Sequence, residues 1–447
     1  MAYYPHTPQE RDDMLAAIGA ADIETLFADI PARLRNPQLN LPPALSEMET
    51  LADLRELAED NQHAGRSALF LGAGAYNHYT PQIVDALIQR GEFLTAYTPY
   101  QPEVSQGTLQ AVFEWQSMVC ALTGMDVANA SHYDGATALA EAVIMGNEHF
   151  RGARRKVVLS PTLHPHARGV VHTYTQGLGL SIVGEDLPPD VAPPDLADLV
   201  DDQTMLLAVA YPNFLGQIDD LQGLADRVHA RGALLVVMAD PLALGLLTPP
   251  AALGADIVCG EGQSLGLPLS FGGPYLGFFA TRKSLVRKMA GRVVGETHDR
   301  QGRRGFVLTL ATREQHIRRE RASSNICTNQ GLMALAATIY LSTLGKHGLR
   351  QVAELCWHKS HYAAHLIGAL PGFRVVAQRP FLKEFVVACP RPVAEVNDFL
   401  LYQRNIIGGY DLGQDYPALK NHMLLCVTET NTRAQIDDLV GALSELS

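Results

Sequence analysis

Three observations predict an α/β protein with a mostly parallel sheet in a large domain and a smaller α/β domain behind it. Between residues 66 and 330, short apolar runs alternate with helical stretches, the pattern of strand–helix–strand units. From Gln330 a long helical pattern begins, and short strands and a closing helix follow it. The first 60 residues hold two helical patterns separated by Pro31, Pro37, Pro42 and Pro43, which sets off an N-terminal arm. The expected division is an arm over 1–65, a large domain over 66–330 and a small domain over 331–447.

The arm opens at Thr7-Pro-Gln-Glu10, an N-cap with proline at N1 and an acid at N3, ahead of the apolar run 14–18. A second helix is expected over 47–59, with Leu51, Leu54, Leu57 and Ala58 at helical spacing. Strands are expected at 156–159, 180–183, 204–210, 234–239, 256–259 and 275–280. Helices are expected over 166–176 and over 219–231, where Leu221, Leu224, Ala225 and Val228 share a face and Gly232 suits a C-cap. Four prolines mark 186–195 as a loop. In the C-terminal part, Leu332, Leu335, Ala336 and Ile339 predict a helix to Gly345, with further helices over 347–369, strands at 373–376 and 385–388, and a helix over about 432–446. Ligands of such sheets sit beyond the carboxyl ends of the strands.

The 447 residues are 47% hydrophobic and 18% charged, with a net charge of −12. That balance argues against a general nucleic-acid binder. No uncharged apolar run is long enough for a membrane span, and no signal-peptide pattern opens the chain. Cys120, Cys259, Cys327, Cys356, Cys389 and Cys426 are scattered without a C-x-x-C pair, so a cytoplasmic protein with reduced thiols is expected.

The site chemistry starts from a strand ending in Asp240, followed by the glycine-rich stretch 261–275. Pyridoxal phosphate (PLP) enzymes often use such an Asp to pair with the pyridinium nitrogen and a lysine about one βα unit later to form a Schiff base. Here Gln263 and Ser264 stand where that lysine is expected. Asp134-Gly135-Ala136-Thr137 opens an apolar helix, which suits a phosphate or simply an N-capped core helix. His164 follows the strand at 156–159 and could stack on a cofactor ring, bind a metal or pack, and the His-x-His spacing alone makes no metal site. His358, His361 and His365 share a helix face and read as surface or packing residues, and Gly72-Ala-Gly74 lacks the third glycine of a dinucleotide loop. The stretch 93–107, with Tyr97, Thr98, Tyr100, Gln101 and Glu103, is dense in groups that line pockets or interfaces or satisfy a buried loop. Arg313, Arg318, Arg319 and Arg321 form a cluster that leads into a polar loop with Ser324, Asn325 and Thr328, either a solvated face or an anion site.

Together these segments resemble the P-protein of the glycine cleavage system, glycine dehydrogenase (decarboxylating). The matching runs are TAYTPYQPEVSQGTLQ (95–110), NASHYDGATALAEA (129–142), FGGPYLGFFA (271–280) and TREQHIRRERASSNICTNQ (312–330). The resemblance implies PLP-dependent fold type I. It also places this chain with the alpha half of the family, which lacks the Schiff-base lysine that beta carries. It further implies an α2β2 assembly that decarboxylates glycine on PLP held covalently by beta, with none covalently bound here. The aminomethyl group then passes to the lipoyl arm of H-protein. On that reading Tyr97, Thr98, Tyr100, Gln101 and Glu103 line the partner's site, and Ser324, Asn325 and Thr328 contact the cofactor phosphate in trans. His164, Asp240, Asp134, Gly135 and Thr137 keep a vestigial pocket, and the Arg313–Arg321 run with Arg282, Lys283, Arg287, Lys288 and Arg292 is a candidate H-protein surface. None of the seven lysines stands in a Schiff-base position: Lys156 is at the wrong end of its strand, Lys283 and Lys288 lie past another, and Lys346, Lys359, Lys383 and Lys420 belong to the C-terminal part. The alternatives are a purely structural scaffold for beta and an autonomous PLP enzyme.

Overall fold

A computed structural model describes residues 5–322 and 324–447, so the first four residues of the expected arm and Ser323 lie outside the described residues. The chain divides into two compact units, 1–62 and 63–447. In the first, helix Pro8–Ala17 begins with the capping box read from the sequence, Thr7 with Glu10, and helix Glu47–Glu59 begins with a second reciprocal box, Ser46 with Glu49.

The second unit is built on a seven-stranded sheet. Its order is Val127–Ala128, Gly277–Thr281, Ile257–Glu261, Leu234–Ala239, Thr204–Tyr211, Lys156–Leu159 and Ser181–Val183. Only Gly277–Thr281 runs against its neighbours. Alternate residues serve two cores, as the pleat requires: Val157, Leu206, Ala208 and Val236 pack on one face, and Val158, Leu207, Val209 and Val237 on the other. The sheet is buried on both sides, which explains why its strands read as continuous apolar runs.

Helix 219–231 contracts to Leu224–His229. Gly223 adopts a left-handed φ of 74°, and the buried Asp219 is bonded to Asn213 Nδ2 at 3.0 Å and paired with Arg379, so the chain before it is not helical. The stretch 312–321 is no solvated helix either: it forms single turns, and Arg313 turns inward to donate to the carbonyls of Leu310 and Gly291 at 3.0 and 2.9 Å. Helix Gln106–Thr123, with Leu109, Trp115 and Val119 buried, and the hairpin Val293–His298 with Arg304–Thr309 were not expected. The predicted stop at Gly345 is a break inside Gly331–Gly368, where φ is 58°. Beyond it lies a four-stranded antiparallel sheet in the order Arg374–Val376, Glu384–Ala388, His422–Cys426, Tyr410–Asp411. Among the described residues no helix is long and apolar enough to cross a membrane.

Candidate functional site

Beyond the carboxyl ends of the central strands lies a cavity of about 410 Å³. Of the residues expected of a vestigial pocket, Asp134, Gly135, His164 and Asp240 line it, whereas Thr137 is buried behind Asp134. Helix Gly135–His149 points its N-terminus at it, with Asp134 Oδ1 accepting from Thr137 N at 2.7 Å. A Cβ on Gly135 would lie 2.7 Å from Glu261 N, so only glycine lets the helix end press this closely on the strand. His164 lies against Phe214, accepts at Nδ1 from His166 N and bonds at Nε2 to Ala73 O at 3.0 Å. Burial depresses its pKa, so the ring is neutral with its proton on Nε2. Asp240 projects from the end of Leu234–Ala239.

Sequence position misplaced one lysine. Lys383 belongs to the C-terminal part, yet the start of strand Glu384–Ala388 returns over the pocket and seats its Nζ 2.6 Å from Asp240 Oδ2. The ammonium also sits 3.4 Å from the centroid of the Tyr76 ring. Burial works against charge in both partners, but their mutual attraction more than offsets it, lowering the Asp240 pKa and raising that of Lys383. Lys383 is therefore a protonated counter-ion and no nucleophile. Next to it, Glu384 accepts from Ala73 N at 2.7 Å and Tyr76 Oη at 2.9 Å, and burial lifts its carboxyl to about 6.

Gln263, at the expected lysine position, is fully buried and fully bonded. Its Oε1 accepts from Tyr76 N at 2.8 Å, and its Nε2 donates to Tyr76 O and Leu267 O at 2.9 and 2.8 Å. The loop around Gly72 and Gly74 thus forms a wall of the pocket. Ser264 is buried beside Gln263. Glu261 spans the remaining gap: Oε2 accepts from Gly135 N at 2.9 Å and Oε1 from Gln263 N and Leu276 N at 3.0 and 3.1 Å. Burial lifts its carboxyl to about 7. PLP does not fit this pocket as folded, because Lys383 already matches the Asp240 charge and a carboxyl already fills the helix N-terminus.

The second predicted group gathers elsewhere. Thr98 Oγ1 lies 3.2 Å from Thr328 Oγ1, and Tyr97 meets Tyr100 edge-on. Tyr100 Oη accepts from Arg292 Nη2 at 2.6 Å, and Cys327 lies 3.6 Å from the same guanidinium nitrogen. Arg292 is held by a buried ion pair with Glu314, and His316 packs edge-on against Tyr100. Gln101, Glu103 and Asn325 are exposed. Ser324 turns away from the others, donating to Glu141 Oε1 at 2.8 Å. Burial raises this Glu141 to about 7. Sequence reasoning missed Lys383, Glu384, Glu261, Glu141 and Glu314. Glu261 in the glycine-rich run, Glu141 in the run 129–142 and Glu314 in the run 312–330 stood inside flagged segments, whereas Lys383 and Glu384 had no local signal.

The glycine cleavage system P-protein family model matches residues 1–443. The chain belongs to the glycine cleavage system P-protein family. A probable glycine dehydrogenase (decarboxylating) subunit 1 from Thermomicrobium roseum is 58% identical over 447 residues, covering 100% of this chain and 99% of that one. Another, from Desulforamulus reducens, is 52% identical over the full length of both chains. Among solved structures, a P-protein glycine decarboxylase in inhibitor-bound form matches with a TM-score of 0.90 and 44% identity over 100% of both chains. A sphingosine-1-phosphate lyase from Burkholderia pseudomallei, 16% identical over 93% of this chain and 94% of that one with a TM-score of 0.65, shares the fold alone. This P-protein chain has the PLP-dependent fold type I architecture expected from the sequence.

Proposed function

We propose that this chain is the alpha subunit of a split glycine dehydrogenase, active only with a lysine-bearing beta subunit in an α2β2 assembly. The pair decarboxylates glycine and passes the aminomethyl group to the lipoyl arm of H-protein. One observation carries the division of labour: Gln263 is buried and fully bonded where a Schiff-base lysine is expected. Full-length relatives named as subunit 1 support the need for a partner. In the assembled enzyme, PLP on beta supplies the electron sink for breaking the carbon–carboxylate bond.

This chain's own contribution is the cluster around Tyr100, which completes the partner's site. Glu314 fixes Arg292, and Arg292 donates to the Tyr100 oxygen, which leaves the phenolic proton for an anionic acceptor brought by the partner or by glycine. Thr98 and Thr328 add hydroxyls beside it, with Tyr97, Gln101, Glu103 and Asn325 on the outer face. Ser324 acts by tying its loop to Glu141. The exposed Arg318, Arg319, Arg321, Lys283 and Arg287, with the half-buried Lys288, remain the candidate H-protein surface; Arg292 is withdrawn from it by burial, and Arg313 and Arg282 by donating to backbone carbonyls.

Co-expression with a lysine-bearing beta chain tests the reading through glycine/CO₂ exchange. The pair is expected to exchange and either chain alone is not. Exchange by this chain alone, with a borohydride-trapped lysine in it, overturns the assignment. A pure scaffold is separated by alanine at Tyr97 and Tyr100: loss of turnover with assembly intact supports a contributed site.

A further inference from the structure

We infer that Glu261 and Lys383 are internal surrogates for a cofactor's phosphate and pyridinium charges, and that by occupying both anchor points they keep PLP out of the pocket beyond the strand ends. In this architecture a phosphate sits on backbone N–H groups at a helix N-terminus, and the carboxylate past a strand end takes the ring nitrogen. Here both places are taken. Glu261 offers acceptor oxygens to three backbone donors, Gly135 N, Gln263 N and Leu276 N, all at 2.9–3.1 Å. Asp134 caps Thr137 N, which removes another donor from the helix end. At the opposite anchor, Lys383 presents a positive charge to Asp240 Oδ2 and is covered by the Tyr76 ring.

Charge reinforces the exclusion. Asp134 and Asp240, joined by Glu384 and Glu261 as pH rises through about 6 and 7, line the cavity against the ammonium of Lys383, so a phosphate dianion would meet an increasingly acidic site. The surrogates also tie separate parts of the chain together. Lys383 and Glu384 come from the antiparallel C-terminal sheet, Asp240 and Glu261 from the central sheet, and Gln263 clamps Tyr76 between them. A lysine restored at 263 would therefore face a cavity whose phosphate and ring-nitrogen anchors are already taken. The inference does not depend on the proposed activity, because it concerns occupancy of this pocket only.

The test uses the assembled α2β2 enzyme, with beta's cofactor fixed by borohydride so that it cannot exchange. Binding of 4′-deoxypyridoxine 5′-phosphate, which has no aldehyde, is followed by equilibrium dialysis. The wild-type complex is expected to take up none. The Glu261→Ala/Lys383→Met variant, which vacates the cradle and frees Asp240, is expected to bind one per alpha chain, at least about tenfold more tightly than wild type. Uptake by wild-type alpha overturns the inference, as does a folded double variant that still co-purifies with beta and gains nothing. Should the double variant fail to fold, Glu261→Ala alone keeps the Asp240–Lys383 pair. Inorganic phosphate is expected to raise the melting temperature of that single variant and not of wild type, and an equal response or none in both overturns the phosphate half.

Discussion

The pocket beyond the strand ends and the cluster around Tyr100 are both polar, but their bonds point in opposite directions. In the pocket, Gln263, Lys383 and Glu384 are buried, and their polar atoms meet other groups of the same chain. In the cluster, Arg292 and Glu314 form a buried base, while Tyr97 is 70% exposed and Gln101, Glu103, Asn325 and Cys327 also face outward. A site that satisfies itself holds a fold together; a site with a rigid base and free outer groups is built to be completed by something else. On the proposed reading, the first region has become a structural joint and the second is the part of this chain that a partner completes.

The largest expected effect lies at Lys383. Lys383→Met leaves Asp240 as a buried carboxylate without its counter-ion, a loss of about 3–5 kcal/mol in denaturant unfolding. Adding Asp240→Leu should recover most of that loss. Parent-like stability of Lys383→Met would show that the pair does not hold the pocket.

Next comes pH. The folded-state pKa of Glu261, about 7, lies above the ordinary glutamate value. Its contribution to stability is therefore complete below the ordinary carboxylate range and is lost as pH rises through about 7. Glu384 adds a similar loss centred near 6. Unfolding free energy should fall by up to about 3 kcal/mol for Glu261 alone between acidic and mildly alkaline pH. Glu261→Gln should flatten the upper part of that profile, and an unchanged profile would mean that Glu261 does not titrate in this range.

Gln263→Lys should cost about 2 kcal/mol through the lost bonds to Tyr76 and Leu267, and it should yield no borohydride-trapped PLP on this chain. A trapped adduct would erase the contrast between the two regions. The smallest effect is expected at Tyr100. Tyr100→Phe should lower turnover of the assembled enzyme about tenfold, with stability within about 0.5 kcal/mol of the parent. Unchanged turnover would remove Tyr100 from the proposed shared site.

Much of the fold was legible in the sequence because local rules fix it. The capping boxes at Thr7 and Ser46 and the apolar strands at 156–159 and 234–239 depend on neighbours within a few residues. So does the position of Asp240 at a strand end, and with it the missing lysine at 263. The helix Gln106–Thr123 was missed because its buried face is interrupted by Gln116, a polar group satisfied by Val294, far away in sequence, while Gln106, Gln110 and Glu114 lie on the other side. What the tertiary structure decided was how the vacancy is filled. Lys383 reaches Asp240 across 143 positions of sequence, and Glu261 meets Gly135 N across 126. Burial then sets the charges of these groups, and burial has no local signature. The sequence by itself established that the lysine is missing, and the fold brought a distant lysine and a glutamate into the space a cofactor would have used.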